Sequence, residues 1–131
     1  MSKVSGSCHC GAVRFEVEEP EQVLDCNCSH CRLYGALVAY YPQREVRFEG
    51  APDTFIYQWG DRDLEFHHCR TCGCATHTTL VGTNDAEKIA VNARLIRGLD
   101  PKRTRLVQKN NGNDGVFWTK TDQPVLPSHD A

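Results

Sequence analysis

The chain has 131 residues, the length of one ordinary domain, and 40% of them are hydrophobic, enough for a modest core. Its formal net charge is -2 and its 15 basic residues form no block, which argues against a nucleic-acid arm or a polybasic membrane patch. The apolar runs are too short to span a bilayer, and the N-terminal residues lack the apolar stretch of a signal peptide. We therefore expect a cytoplasmic protein whose cysteines stay reduced or bind metal.

Short β-strands are predicted along most of the chain. Val13, Phe15 and Val17 alternate with charged residues, which is the period-two pattern of a half-buried strand. Prolines and glycines mark the turns between this strand and further short segments. The pattern predicts a mainly β domain of short antiparallel strands. The further segments are residues 37–41, 46–48, 54–59, 64–68, 75–81 and 88–91.

The remaining segments are predicted to be a helical turn, a loop and a tail. The helical turn covers residues 29–34, directly over the central cysteines. Residues 97–115 are polar and are predicted to form a loop, and residues 116–118 a last strand. Residues 124–131 are expected to form a loose tail. We expect residues 1–131 to make up a single domain.

All eight cysteines lie in three clusters. Residues i and i+2 of a strand are about 6.5 Å apart and point to the same face, which suits a shared metal better than a disulfide. A Cys-x-x-Cys-Gly turn directs two thiolates toward one metal, and its glycine permits a left-handed backbone. The spacing therefore predicts metal ligation, with zinc favoured over an iron–sulfur cluster. The clusters are Cys8 and Cys10; Cys26, Cys28 and Cys31; and Cys69, Cys72 and Cys74.

The spacing leaves open how these cysteines are divided between metals. Eight thiolates can form two closed sites, or one closed site and one with a replaceable ligand. The central cluster supplies three ligands within six residues, whereas two outer pairs are separated by most of the chain and would make a long-range four-cysteine site. Cys74 is left over in this division.

Four motifs follow one another between residues 5 and 99. They are Gly6-Ser7-Cys8-His9-Cys10-Gly11-Ala12-Val13-Arg14-Phe15-Glu16-Val17, Cys26-Asn27-Cys28-Ser29-His30-Cys31-Arg32 followed by Gly35-Ala36, Cys69-Arg70-Thr71-Cys72-Gly73, and Val91-Asn92-Ala93-Arg94-Leu95. In this order they resemble the glutathione-dependent formaldehyde-activating enzyme family. Four motifs in register are specific for the family, though not for a substrate.

This resemblance implies a β-tent fold with two zinc ions, one structural and one linked to glutathione chemistry. The implied activity is that of a carbon–sulfur lyase or synthase, in which glutathione adds to a small aldehyde. With formaldehyde the product would be S-hydroxymethylglutathione. The structural zinc would be held by Cys8, Cys10, Cys69 and Cys72, and the second, catalytic zinc by Cys26, Cys28 and Cys31.

The role of Cys74 separates two interpretations of the second site. Cys74 is a candidate fourth ligand, which would close the site or be displaced by glutathione. A closed site favours the alternative of a zinc-stabilised binding module without catalysis, for a protein partner. A nucleic-acid partner is disfavoured by the near-neutral charge, although the resemblance extends to centromere protein V.

Arginines are the candidates for binding substrate. Arg32 and Arg94 could hold the carboxylates of glutathione through bidentate contacts, and Arg94 falls within a motif of the resemblance. For Arg70 we expect a surface or structural ion pair instead.

The histidines and aromatic residues near the clusters are given structural roles. His9 and His30 are interpreted as exposed spacers, because enough thiolates are already present. Strand alternation places His67 and His68 on opposite faces, so at most one of them faces any given site. One of His67, His68 and His77 could act as a proton shuttle, but the favoured interpretation of each is a satisfied or solvated strand histidine. Core packing, rather than a pocket wall, is predicted for Trp59, Phe117 and Trp118.

Overall fold

The computed structural model of the chain describes residues 2–28, 30–100 and 102–109. Within these ranges the fold is mainly β, with a single α-helical turn, α1 (Cys31–Tyr34), and 3-10 turns at Gln43–Glu45 and Ala93–Leu95. The helical turn lies where the sequence predicts one. The strand predicted at residues 116–118 and the tail predicted at 124–131 lie outside the described residues.

The strands form two sheets. Neighbours are antiparallel, except for one parallel pair formed by the strands that begin at Arg105 and Gln22. The smaller sheet has the spatial order β1 (Lys3–Ser7), β2 (Arg14–Glu18), β5 (Arg47–Phe48). The larger sheet has the spatial order β10 (Arg105–Lys109), β3 (Gln22–Cys26), β4 (Leu37–Pro42), β9 (Lys88–Asn92), β8 (Ala75–Thr79), β7 (Glu65–Cys69), β6 (Thr54–Tyr57).

The strands predicted from alternation and apolar runs are confirmed to within two residues at each end, and the β-tent fold class is confirmed with them. Three strands were missed: β1, β3 and β10. The prediction of a loop over 97–115 is wrong where β10 lies. Strands β1 and β10 lack the alternating apolar pattern, and pairing makes them strands: Lys3 lies opposite Glu18 of the next strand, and Arg105 opposite Gln22.

The two central strands of the larger sheet, β4 and β9, are buried on both faces. On one face Ala39 and Val91 belong to the main core, which also includes residues of β2. On the other face Val38 and Ala90 pack against a cluster that includes Cys26. The central cysteines therefore rest on the sheet from outside the main core.

Other cysteines lie where the two sheets meet. Cys8 directly follows β1 of the smaller sheet, and Cys69 is the last residue of β7 in the larger sheet. Both side chains are completely buried and pack together with Val13. A bond between these two cysteines through a metal would fasten one sheet to the other.

Gly6 marks a close approach inside the smaller sheet, and this predicts the effect of a substitution. Gly6 lies opposite Phe15, and a Cβ atom at Gly6 would lie 2.7 Å from Phe15 Cε1. Because the ring would have to move, Gly6→Ala should lower the free energy of unfolding by about 1–3 kcal/mol, measured by urea denaturation. The control is Ser5, the exposed residue before Gly6. Ser5→Ala should change the free energy of unfolding by less than about 0.5 kcal/mol.

The cause of this effect can be tested with a second substitution. In a Phe15→Leu background the smaller side chain leaves room, so the additional cost of Gly6→Ala should largely disappear. An equal cost in both backgrounds would show that the contact with the ring is not responsible.

Candidate metal centres

Four cysteines converge at the junction of the sheets, and we call them the first group. Their sulfur atoms all lie within 4.8 Å of one another, and the distances from Cys10 Sγ to Cys8 Sγ and to Cys69 Sγ are both 3.7 Å. In a tetrahedral site with Zn–S bonds of about 2.3 Å, neighbouring sulfurs are about 3.8 Å apart. The donor set and its spacing therefore fit a zinc ion. The group consists of Cys8, Cys10, Cys69 and Cys72.

Backbone amides support the sulfurs of the first group. The N–H of Val13 donates to Cys8 Sγ at 3.3 Å, and the N–H of Cys72 donates to Cys69 Sγ at 3.5 Å. Gly73 adopts a φ of 82°, and its N–H donates to the Cys69 carbonyl at 2.9 Å, so the turn closes around the sulfurs. Such amide contacts stabilise thiolates and orient them toward a metal.

Three cysteines form the second group, between β3 and α1. The sulfurs of Cys26, Cys28 and Cys31 lie within 4.8 Å of one another. The thiols of Cys26 and Cys31 hydrogen-bond to the Cys28 thiolate and, with the N–H of Cys31 at 3.3 Å, hold the pKa of Cys28 well below its ordinary value. Cys26 and Cys31 are buried, and Cys28 is half-buried. Three thiolates of this kind fit zinc and leave one coordination position for another ligand.

Cys74 lies with the first group and is not brought to the second. It packs with Cys72 against Cys8 and Val13, and its carbonyl accepts the N–H of Cys69 at 2.8 Å. This hydrogen bond holds Cys74 in the same turn as Cys72, and burial raises the pKa of its thiol. Cys74 was a candidate for the fourth ligand of the second group. Among the described residues, however, the ligand atoms that lie within 4.8 Å of one another there do not include its sulfur.

His30 is buried, and its interpretation as an exposed spacer is wrong. Only 6% of its surface is exposed, because its ring stacks on Phe66 at 3.9 Å and on Tyr34 at 4.6 Å. Its Nε2 lies 3.3 Å from Nε2 of His68, and burial together with His68 lowers the pKa of His30 to about 4. His9 is exposed, as predicted.

The strand histidines lie on opposite faces of β7, as alternation predicts. His68 is on the side of His30, whereas His67 hydrogen-bonds to Thr54 Oγ1 at 3.0 Å and stacks on His77 at 4.1 Å. Burial lowers the pKa of His77 to about 3, so this ring is neutral at neutral pH. The partners of His67 and His77 are consistent with their interpretation as satisfied strand histidines.

Arg94 contacts the helical turn that follows the second group. Its Nε donates to the carbonyl of Gly35, and its backbone N–H donates to Asn92 Oδ1 at 3.2 Å. The nearby Asp25 is buried, which raises its pKa to about 6 against the opposing effect of the Arg94 charge. The burial of Asp25 was not predicted from the sequence, because strand β3, which contains it, was not predicted. Its signal was an acidic residue on the same face of the strand as the buried Val23.

The two other arginines have simpler positions. Arg32 lies on α1 beside Cys31 and is half-buried. Arg70 forms an exposed ion pair with Asp53, with 3.0 Å between Nε and Oδ1, as expected.

An open cavity of about 310 Å³ lies next to α1. Trp59 lines this cavity and is 41% exposed, so its prediction as a core residue is wrong. The equivalent predictions for Phe117 and Trp118 fall outside the described residues. The cavity is lined by His30, Leu33, Tyr34, Tyr57 and Trp59.

In the part of the chain that the structure describes, no helix combines the length and apolar character needed to cross a membrane. The fold and the two cysteine groups define a mainly β protein of the β-tent class with sites that could hold zinc. The model of the family "glutathione-dependent formaldehyde-activating enzyme" matches residues 3–109, and the chain belongs to this family.

A solved structure resembles this chain at the level of sequence and fold. It is the crystal structure of a Rhodobacter sphaeroides protein, which is 36% identical to this chain. The similarity covers 75% of this chain and 92% of that protein, with a TM-score of 0.61.

Proposed function

We propose that this protein is a zinc-dependent carbon–sulfur lyase or synthase, a single cytoplasmic domain that acts on glutathione and a small aldehyde. The observation that carries the proposal is the second group of three cysteines, with Cys74 held elsewhere by its contact with the first group. Membership in the glutathione-dependent formaldehyde-activating enzyme family supports the choice of substrates. A reducing compartment would keep the cysteines available for metal.

The cysteines have two roles in this proposal. The first group would hold a structural zinc, and Cys26, Cys28 and Cys31 would hold a second zinc. When bound there, zinc supplies a positive charge that lowers the pKa of a thiol at its remaining position. In the reaction the glutathione sulfur forms a bond to the aldehyde carbon, and the thiol proton is transferred to the carbonyl oxygen. The reverse reaction breaks the same carbon–sulfur bond.

Arg94 and Arg32 are proposed to bind the carboxylates of glutathione. Both are close in the chain or in space to α1, which begins at Cys31 of the second group. Arg94 already donates to the Gly35 carbonyl, which orients its guanidinium group relative to α1. Guanidinium groups bind carboxylates well because two parallel hydrogen bonds can form.

A cobalt-substituted protein tests the proposal, because cobalt–thiolate absorption reports on ligands. Glutathione is expected to change the spectrum of one of two bound cobalt ions, while S-methylglutathione, which lacks a thiol, leaves it unchanged. Cys74→Ser should respond like the unchanged protein, because Cys74 lies with the first group. If glutathione changed the absorption of neither cobalt ion, the proposed function would be contradicted.

A further inference from the structure

The cavity lined by His30, Leu33, Tyr34, Tyr57 and Trp59 is here called the aromatic cavity. It exposes much apolar surface: Tyr34 is 53% exposed, Tyr57 49% and Trp59 41%. Single exposed apolar residues are common on proteins, but a contiguous group of this kind indicates a binding surface. The group is formed by α1 on one side and by β6 with the residues that follow it on the other.

The rings around the cavity are held nearly parallel. The buried Phe66 stacks on Trp59 at 4.9 Å and 15°, and on His30 at 3.9 Å and 28°. The planes of His30 and Trp59 therefore differ by only 16°. The exposed ring of Trp59, held by its stacking on Phe66, offers a fixed flat face for offset stacking with another planar ring, since little side-chain entropy is lost on binding.

Among the residues that the structure describes, none that lines the aromatic cavity is Asp, Glu, Lys or Arg. The carboxylates and the amino group of glutathione would lose hydration in this cavity without gaining a partner of opposite charge. An apolar part of a ligand fits the cavity, and the peptide part does not.

The aromatic cavity adjoins the second group of cysteines. His30 forms part of its wall and lies between Cys28 and Cys31 in the chain, and Tyr34 follows less than one helical turn later. The aldehyde-derived carbon of an adduct whose sulfur is bound at the second group would therefore lie near the cavity. Formaldehyde has no organic group that could occupy the available volume.

We propose that the aromatic cavity binds the ring of an aromatic aldehyde, so that the substrates are adducts of glutathione with aldehydes of the benzaldehyde type. The assignment rests on the proposed function, whose second substrate it specifies. In the reaction a bond forms between the glutathione sulfur and the aldehyde carbon, and the carbonyl π bond opens. The thiol proton ends on the oxygen, so no oxidant or reductant is required.

Two stable thioethers test this assignment by calorimetry on the zinc-loaded protein. S-benzylglutathione carries a ring on the sulfur, whereas S-methylglutathione does not. We expect S-benzylglutathione to bind at least about tenfold more tightly, because the ring leaves water and stacks on aromatic faces. Trp59→Ala should remove most of this difference and leave the affinity for S-methylglutathione unchanged.

Tyr40→Ala is the matched control, since Tyr40 is 40% exposed, similar to Trp59, and does not line the cavity. It should keep the preference for the benzyl compound. Equal affinities for the two thioethers in the unchanged protein would overturn the assignment. An equal loss of both affinities in Trp59→Ala would also overturn it.

The same measurements distinguish two other outcomes: a dimer that covers these rings, and a failure of the proposed function itself. If a second copy of the chain covers these rings, Trp59→Ala would convert a dimer to a monomer in sedimentation and the thioethers would bind alike, which would overturn the assignment. If the proposed function itself fails, S-methylglutathione would not bind and glutathione would leave the cobalt spectrum unchanged. The substrate assignment would then fall with the function, whereas a failure confined to the benzyl preference would leave the function standing.

Discussion

Replacing Cys72 with serine is expected to abolish cooperative folding of the protein. Cys72 belongs to the first group, which joins the end of β7 to the segment after β1 and so connects the two sheets. A structural zinc site contributes on the order of 10 kcal/mol, comparable to the entire stability of a domain. The measurements are thermal unfolding followed by circular dichroism and zinc content by mass spectrometry.

Cys74→Ser is the matched control for this loss. Cys74 is in the same turn and packs against the same cluster, but its sulfur is outside the first group. This variant should keep two zinc ions and a melting temperature within a few degrees of the unchanged protein. A normal melting transition in Cys72→Ser would contradict the assignment of the first group as the structural site.

Cys28→Ser should remove the second zinc and leave the fold intact. The second group comes from a short segment of chain, and it rests on Val38 and Ala90 outside the main core. The variant should contain one zinc and still unfold cooperatively. Because it loses a ligand at the proposed site of chemistry, its turnover of glutathione adducts should fall to less than about one hundredth.

Cys74→Ser is also the control for Cys28→Ser, because it should keep both the two zinc ions and the melting transition. Two zinc ions in Cys28→Ser would show that the second group does not depend on this sulfur. Loss of the melting transition would show that the second site is structural, which favours the interpretation as a binding module.

The strands of this protein could be predicted where they carry their own pattern. Phe15 and Val17 alternate with charged residues because one face of β2 is buried, and this periodicity is local. β1 and β10 have no such pattern, since their residues become strands by pairing with β2 and β3. Pairing with a neighbouring strand leaves little trace in a short window of sequence.

The neighbourhoods of single side chains were harder to predict. His30 was interpreted as a spacer because thiolates surround it in the chain, yet Phe66 and Tyr34 bury it. Trp59 has a large apolar side chain of the kind that usually packs in a core, but it follows β6 and lies on the surface. In both cases the deciding contacts come from residues on other elements.

Sequence alone indicated that the cysteines form clusters with the spacing of metal ligands and that the domain is mainly β, because spacing and alternation are local properties of the chain. The tertiary structure decided which sulfurs meet. It brings Cys8 and Cys10 to Cys69 and Cys72 across the junction of the sheets, and it holds Cys74 beside them, away from the second group. It also decided that aromatic rings line a cavity next to that group. The first result depends on the junction of the two sheets, and the second depends on the position of α1 beside β6 of the larger sheet. Both bring together residues far apart in the chain.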